Sequence, residues 1–234
     1  MRNQNLDSPL RPAKYVEKIL VTSILDGTYP IGMALPNERR LSEQIGVTRP
    51  TLRETLQRLA SEGWIKIQHG KPTVVNDYWQ EGGLSLLSTL AKYGDYLPNG
   101  FITHLLEVRV TMLPSLAKRA TSYNPEIIIN FLNTARTLDE NAEAFSNYDW
   151  KLQMLMARHS KNPVFSLILN DFTSIFKIMA LRYFSMEIAR QASRTYYHEL
   201  SRAIEQSGEA VASVVKKAME QSIDIWHKFK SFSV

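Results

Sequence analysis

Residues 36–59 read PNERRLSEQIGVTRPTLRETLQRL, a stretch that holds two short amphipathic helical patterns separated by a glycine. In the first pattern Leu41 and Ile45 lie four residues apart, which places both side chains on one helix face. Asn37 before it is a favourable N-cap, and Gly46 after it suits the left-handed position that ends many helices. We therefore predict a short helix between Asn37 and Gly46.

A second helix is predicted to begin at Thr48 and to run to about Glu62. Thr48 can cap its N-terminus, Pro50 falls in the first turn, where a missing N–H costs little, and Gly63 ends it. The apolar face of this helix consists of Leu52, Leu56 and Leu59. Two short helices joined by a tight turn that contains a glycine are the signature of a helix-turn-helix.

Elements on both sides of this pair complete the pattern. A longer helix is predicted over 12–26. Two β-like runs, 64–67 and 73–75, follow the second short helix and are joined by a polar turn. The order helix, helix, turn, helix, hairpin is that of a winged helix, in which the hairpin is the wing. We predict a winged helix-turn-helix DNA-binding domain over residues 1–75.

The rest of the chain has a helical pattern almost throughout. Residues 76–83 are polar, end in two glycines and are predicted to form a linker. Beyond them, helical spacing of apolar residues predicts an all-helical effector-binding domain over 84–234, a bundle of six to seven helices. The predicted helices cover 84–93, 99–121, 125–145, 148–160, 163–184, 187–206 and 209–230. The fold class is therefore mainly α, with a small β-hairpin in the N-terminal domain.

Composition and charge favour a cytoplasmic protein that binds a polyanion. The 234 residues include no cysteine, which excludes disulfides and thiolate metal sites, and the N-terminus lacks the apolar core of a secretory signal. No stretch is expected to approach the ~18 apolar residues that a membrane helix needs. The net charge is +5, and residues 1–79 hold 11 Lys and Arg against 8 Asp and Glu. This basic excess suits DNA, although charge alone leaves the partner open.

The candidate DNA contacts lie at the start of the second short helix, which in a helix-turn-helix enters the major groove. Arg49 and Arg53 are four residues apart, opposite the leucine face, and each can donate two hydrogen bonds to guanine. Thr48 and Thr51 are suited to binding phosphate at the helix N-terminus, and Arg39 on the preceding helix could reach the backbone or a base. The alternative is that the arginines are only solvated surface cations.

The tip of the predicted wing offers a second set of contacts. His69 and Lys71 carry hydrogen-bond donors, and Gly70 between them permits a close approach of the backbone. We predict that this tip contacts the minor groove or a phosphate. The alternative is an ordinary hairpin turn.

No pattern of a catalytic site is found. The sequence has no phosphate-binding glycine loop, no His-Glu-x-x-His motif and no serine nucleophile elbow. Its five histidines do not cluster, and its eight methionines are typical of core packing. We predict that the protein is not an enzyme and has no catalytic residues. A helical carrier or enzyme whose winged helix binds a protein is an alternative that DNA binding would exclude.

The runs LPNERRLS (35–42), GVTRPTLRETL (46–56) and IQHGKPT (67–73) resemble the winged helix of the GntR family of bacterial regulators. The similarity continues more weakly to the end of the chain. It implies a homodimer that binds a palindromic operator through two winged helices. The family's DNA contacts fall on Arg39, Thr48, Arg49, Thr51, Arg53, His69 and Gly70. Pro50 replaces a threonine of the family, so one hydroxyl contact is expected to be missing.

Within this family the chain is most similar to regulators of fatty-acid metabolism. Their helical domain binds long-chain acyl-CoA as an allosteric effector, and this releases the DNA. The resemblance implies repression of fatty-acid degradation genes and activation of unsaturated fatty-acid synthesis genes. It places effector contacts at Arg109, Tyr183, Ser222 and Trp226, with Lys228 and Lys230 close enough to serve phosphate. A buried tryptophan is otherwise most often core, and a GntR-family regulator of another small organic acid or metabolite is the alternative.

Two departures from these regulators bear on the effector. Met219 stands where a glycine is expected and could narrow the approach to the CoA. Ser231 stands where a lysine is expected. The chain-length preference and the affinity for acyl-CoA therefore stay open.

Related helical domains of the wider family bind a metal through an aspartate and three histidines. Asp149 occupies the aspartate position, but Gln153 replaces the next histidine, and Glu220 and Gln221 stand where another would fall. One aspartate and His198 do not make a site of three or four protein ligands. We predict no metal and no cofactor.

Overall fold

The computed structural model describes residues 12–231, with side chains described up to Lys228. Contacts between residues divide the chain after Leu97 into two units. Each unit has its own arrangement of helices, and the two are described in turn.

The first unit contains the elements expected of a winged helix. Helices α1 and α3 pack on each other, α2 packs on α3, and the two strands pair antiparallel, with Ile65 opposite Val75 and Lys66 opposite Val74. The elements are α1 (Pro12–Leu25), α2 (Glu38–Ile45), α3 (Arg49–Glu62), β1 (Ile65–Lys66), β2 (Val74–Val75), α4 (Tyr78–Glu81) and α5 (Leu86–Lys92), followed by a 3-10 turn at Gly94–Tyr96.

The helix ends lie where the sequence signals place them. The Asn37 side chain accepts a hydrogen bond from the Arg40 amide at 3.0 Å, and Thr48 accepts one from the Thr51 amide at 3.4 Å. Gly46 and Gly63 end α2 and α3 with φ of 76° and 95°, a left-handed conformation that favours glycine. The core of the unit includes the predicted leucines Leu52, Leu56 and Leu59, all buried. The winged helix-turn-helix predicted from the sequence is confirmed.

The second unit is all helical within the part of the chain that is described. Helix α11 packs along α6 and α10, α8 packs along α9, and α6 contacts α8. Its six α-helices are α6 (Phe101–Tyr123), α7 (Pro125–Asn133), α8 (Ala142–His159), α9 (Pro163–Phe184), α10 (Glu187–Ile204) and α11 (Gly208–Ser231). The predicted mainly α fold with a helical bundle behind the winged helix is confirmed.

One predicted helix is wrong, because the pattern over 125–145 is interrupted. Helix α7 ends at Asn133, a 3-10 turn follows at Thr134–Thr137, and α8 begins only after Asn141. Arg194 of α10 holds the interruption open by donating to the carbonyl oxygens of Ala135 at 2.9 Å and Leu138 at 2.8 Å. These bonds replace the helical hydrogen bonds that a continuous helix would have made.

Residues 76–97 belong to the first unit. Tyr78 of α4, inside the predicted linker 76–83, lies against Trp64 with ring centroids 4.9 Å apart. The Thr89 hydroxyl donates to Glu62 at 2.8 Å. Helix α5, predicted as the start of the helical domain, thus lies within the first unit, which extends to Leu97.

A buried carboxylate joins three helices of the first unit. Glu17 of α1, only 4% exposed, accepts hydrogen bonds from Arg58 of α3 at 2.6 Å and from Lys92 of α5 at 2.9 Å. Tyr93 donates to the same carboxylate at 3.3 Å. Two cations and a hydroxyl therefore compensate the charge that α1 places in the core.

The expectation that no stretch approaches a membrane helix is wrong for α9. Its 22 residues (Pro163–Phe184) contain an 18-residue window of mean hydropathy 1.6, and only 17% of that window is buried. Length and composition alone make this helix apolar enough to span a bilayer. Core helices of soluble proteins pass the same test, although they are mostly buried.

We expect Asn141→Ala to lower the free energy of unfolding by about 1 kcal/mol, because Asn141 accepts a hydrogen bond from the Ala144 amide at 2.8 Å and caps α8. Asn141→Asp keeps an acceptor at the cap and is the control. Urea denaturation followed by circular dichroism measures both. Equal stability of the alanine and aspartate variants would contradict the role of the cap.

We expect Glu17→Ala to lower the free energy of unfolding by about 2 kcal/mol, because charge-assisted hydrogen bonds to Arg58 and Lys92 are lost. The released cations are about half exposed and regain water, which limits the loss. Lys18→Ala, an exposed change on the same helix, is the control. Thermal and urea denaturation of both variants check this, and an unchanged Glu17→Ala protein would mean that the network contributes no stability.

Candidate nucleic-acid interface and effector cavity

The N-terminus of α3 presents an exposed polar surface. Thr48, Arg49 and Arg53 are exposed, and Thr51 is partly exposed. The hydroxyl oxygens of Thr48 and Thr51 are hydrogen bonded at 2.9 Å, so the two threonines stand together at the helix end. Arg39 on α2 is exposed as well. The amides and hydroxyls of this end are suited to an anion such as phosphate.

Arg53 is held by a carboxylate of the preceding helix. Its Nη2 donates to Glu38 at 2.6 Å and its Nε at 3.2 Å, and this hydrogen bond with Arg53 is the main cause that lowers the pKa of Glu38. A guanidinium has five N–H groups, so the pair with Glu38 leaves others free to donate. Because the side chains are 63% and 38% exposed, the pair contributes little stability, and its main effect is to orient Arg53.

The wing tip is exposed and turns at a glycine. His69, Gly70 and Lys71 are all exposed, and the Lys71 amide donates to the Gln68 carbonyl at 3.1 Å to close the turn. Gly70 has a φ of 71° with open space where a Cβ would lie. The turn therefore needs a left-handed residue at its tip, and the backbone there is accessible to a partner.

The second unit encloses an apolar cavity. The cavity is open to solvent on one side; the space between its walls together with the open solvent at its mouth is about 840 Å³, and helices α6, α8, α9, α10 and α11 supply its walls. Four of the predicted effector residues line it, namely Arg109, Tyr183, Ser222 and Trp226. Lys228 is exposed and is not among the lining residues, and the side chain of Lys230 lies outside the described part of the chain. The fold thus brings together four of the six residues that the resemblance implies.

A buried carboxylate forms the polar part of the cavity wall. Asp149, 5% exposed, accepts a hydrogen bond from the Gln153 amide at 2.6 Å and one from Tyr197 at 3.4 Å, and Arg109 Nη2 lies 3.5 Å away. Burial is the main cause that raises the pKa of Asp149, against the opposing effects of Arg109 and Gln153. Arg109 also lies over the Phe176 ring, and its buried Nε has no hydrogen-bond partner among the described residues.

Tyrosines add neutral donors to this wall. Tyr183 and Tyr196 line the cavity, and burial raises the pKa of each hydroxyl well above its usual range, so both stay protonated at neutral pH. Sequence reasoning named Tyr183 but missed Tyr196, along with Ser193, because both lie on α10, for which no contact was predicted. Their i and i+3 spacing on one face of α10 was the available signal.

Two residues of α11 shape the cavity from the opposite side. The Ser222 hydroxyl donates to the Met219 carbonyl at 2.6 Å, so its proton is already committed and its oxygen remains as an acceptor. Met219 is 5% exposed and its side chain lies in the cavity wall. The space that a glycine would leave open at this position is occupied here.

Where related domains of the wider family bind a metal, this chain has a hydrogen bond between two side chains. Gln153 donates to Asp149, and no group of three or more His, Cys, Asp or Glu suited to a metal ion occurs within the described residues. The Gln153 amide thus binds a carboxylate oxygen of Asp149 that a metal ion would need as a ligand.

Comparisons with known proteins also divide the chain into two parts, with the boundary after residue 75. A family model of the bacterial regulatory proteins of the gntR family matches residues 12–75, and the model of the FadR C-terminal domain matches residues 76–232. A fatty acid metabolism regulator protein of Shewanella putrefaciens is 44% identical over 192 residues, covering 81% of this chain and 79% of that protein. One of Yersinia pestis is 40% identical over 221 residues, covering 94% and 92%.

Among solved structures, the Listeria monocytogenes protein described as Lar, which controls expression of the agr system, has a similar fold. It has a TM-score of 0.58 at 15% identity and covers 95% of this chain and 99% of its own. The families and curated relatives that match are transcription regulators and not enzymes. The chain therefore belongs to the GntR family of bacterial transcription regulators, and within it to the members with a FadR C-terminal domain.

Proposed function

We propose that this FadR-like, DNA-binding regulator of fatty-acid metabolism acts in the cytoplasm as a homodimer on a palindromic operator and is released by long-chain acyl-CoA. The observation that carries the proposal is the apolar cavity with its polar wall, inside the domain that matches the FadR C-terminal model. Curated relatives at 40% and 44% identity are named for the regulation of fatty acid metabolism. Repression of degradation genes and activation of unsaturated fatty-acid synthesis genes are part of the proposal.

The DNA contacts follow from the exposed groups of the first unit. Arg49 and Arg53 would donate to base edges in the major groove, with Glu38 orienting Arg53 before binding. The hydroxyls and amides at the N-terminus of α3 would bind a phosphate, and Arg39 the adjacent backbone. The wing tip, His69, Gly70 and Lys71, would contact the minor groove or a phosphate beside it.

The chemistry of the cavity suits an amphipathic ligand. Apolar side chains of α6 and α9 would surround an acyl chain, whose burial contributes about 0.8 kcal/mol per methylene. Arg109 and Tyr183 offer donors to a thioester carbonyl, and Ser222 and Trp226 line the cavity from α11. Lys228 and Lys230 follow on the same helix and would attract the CoA phosphates.

A second candidate effector is a smaller organic acid. The unpartnered Nε of Arg109 is a buried donor suited to a carboxylate, and Met219 reduces the space available to a larger ligand. Both observations would be consistent with a GntR-family regulator whose effector is a small organic acid or another metabolite. Ligand binding distinguishes the two effectors.

We expect oleoyl-CoA to release the full-length protein from DNA selected out of a random library, measured by gel shift. The same ligand should raise the melting temperature, because it binds only the folded state. Free short-chain organic acids at the same concentrations are the comparison. DNA binding that is unchanged at saturating oleoyl-CoA would exclude this effector, and stabilisation by a free acid alone would favour the second candidate.

We expect Arg49→Ala and Arg53→Ala each to weaken binding to the selected DNA roughly tenfold to a hundredfold and to relax the base preference, because each loses ~1–3 kcal/mol of base contact. Lys18→Ala is the matched loss of an exposed cation on α1. The affinity of the unmutated protein for DNA should fall steeply as the salt concentration rises. Unchanged affinity in both arginine variants would refute the assignment of α3 as the recognition helix, and salt-independent binding would argue against DNA as the partner.

A further inference from the structure

Helix α9 has two apolar sides, of which only one is buried within the chain. Its inner side contributes the buried residues Leu169, Ile175, Ala180 and Phe184 and lines the cavity. On the outer side, four large aliphatic residues are exposed, Val164 to 53%, Leu167 to 64%, Ile178 to 37% and Leu181 to 44%. A single exposed leucine is ordinary, but these four form an aliphatic strip of two pairs, one near each end of the helix, with Asp171 and Ser174 between them.

The exposed residues follow the spacing of a helix-pairing seam. Steps of three and four residues alternate along the whole helix, which is the period of an interface between two helices. We call this set the outer seam: Val164, Leu167, Asp171, Ser174, Ile178, Leu181 and Ser185. Along the seam two aliphatic residues are followed by Asp171 and Ser174, then by two more aliphatic residues and by Ser185.

Two charges on the outer side have no ion-pair partner in the described part of the chain. Asp171 belongs to the outer seam and Arg182 lies beside it, and both are exposed. Eleven residues separate them, about 16 Å along the helix, so they cannot pair with each other within one chain. The outer side therefore presents an unpaired acid near one end and an unpaired base near the other.

A second α9, packed antiparallel about a two-fold axis at the level of Phe176, satisfies both features. In that register Ser174 lies opposite the partner's Ile178, and Leu167 lies opposite the partner's Ser185, so in each of these pairs a small residue meets a large one. Asp171 lies opposite the partner's Leu181 and next to the partner's Arg182. The symmetry repeats each of these contacts, which gives two aspartate–arginine pairs per interface.

We propose that the outer seam of α9 is a surface on which a second copy of this chain docks through its own α9. The inference rests on the proposed homodimer and names a surface through which the two copies associate. Charge complementarity selects the occupant, because each copy supplies the cation that the other copy's Asp171 lacks. The opposite side of the same helix lines the effector cavity, so this contact joins the two cavities of a dimer through a single pair of helices.

A lipid surface fits the outer side less well than a second copy does. A helix that lies on a membrane keeps its charges on the polar face, whereas Asp171 stands in the middle of the aliphatic strip. Burying an unpaired carboxylate in hydrocarbon is costly, but an arginine opposite it compensates the charge.

The test is sedimentation equilibrium of the full-length protein and four variants. We expect Ile178→Glu to raise the dimer dissociation constant about tenfold or more, a loss of about 1.4 kcal/mol, because it places an acid against the partner's seam. Ile127→Glu, an apolar residue exposed to 40% on α7, is the matched control and should leave the dissociation constant unchanged. Both positions are exposed, so neither variant should unfold, which circular dichroism verifies.

Charge exchange identifies the partner contact directly. Asp171→Arg alone should weaken the dimer, and the double variant D171R/R182D should restore it, because the pair forms again with its charges reversed. Rescue cannot come from within one chain at a separation of about 16 Å.

The possible outcomes separate this inference from the proposed function. A dimer that tolerates both Ile178→Glu and Asp171→Arg would overturn the seam and leave the homodimer standing. A monomer at every concentration, with and without DNA, would overturn both. Binding of the parent to phosphatidylglycerol vesicles that Ile178→Glu abolishes, with no change in mass, would assign the strip to a lipid surface and overturn the docking of a second copy.

Discussion

A carboxylate removed from water is stable only when cations or hydrogen-bond donors surround it, and each unit of this chain is built around one. In the first unit Glu17 of α1 holds Arg58 of α3 and Lys92 of α5. In the second unit Asp149 of α8 is compensated by Arg109 of α6 and by donors on α8 and α10. The cations come from helices that are far apart in the sequence, so each buried carboxylate joins helices that are distant along the chain.

Buried and exposed ion pairs have different consequences in this molecule. The Arg53–Glu38 pair is solvated, so it contributes orientation more than stability and costs little to rearrange when a partner binds. The Arg109–Asp149 pair lies in the cavity wall, where a ligand that displaced either group would leave a buried charge uncompensated. The first pair is therefore suited to an adaptable surface, and the second to a fixed wall against which a ligand is positioned.

Local signals in the sequence were sufficient to predict most helices and strands of both units. Caps at Asn37 and Thr48 and glycines after α2 and α3 determine helix ends through contacts within a few residues, so they could be read directly. The interruption after α7 could not be read, because Arg194 holds it from more than fifty residues away. Four effector residues were placed in the cavity by resemblance to a family. The polar residues of α10 were missed because their role depends on which helix they face.

The exposure of α9 could not be predicted for the same reason, because its sequence is apolar on nearly every side and does not show which side the other helices cover. Such a pattern is typical of a helix enclosed by others, yet the structure encloses only the sides that face the cavity and α8 and leaves the outer side exposed. An apolar helix whose outer side remained in water would leave several leucine-sized groups hydrated, at ~1.5–3 kcal/mol each. The polar members of the outer seam, Asp171, Ser174 and Ser185, reduce the apolar area that this side exposes. Polar residues at helical spacing, with a complementary base at Arg182, favour a defined protein partner over nonspecific adhesion, because the aspartate–arginine pairs form only where the two helices are in register.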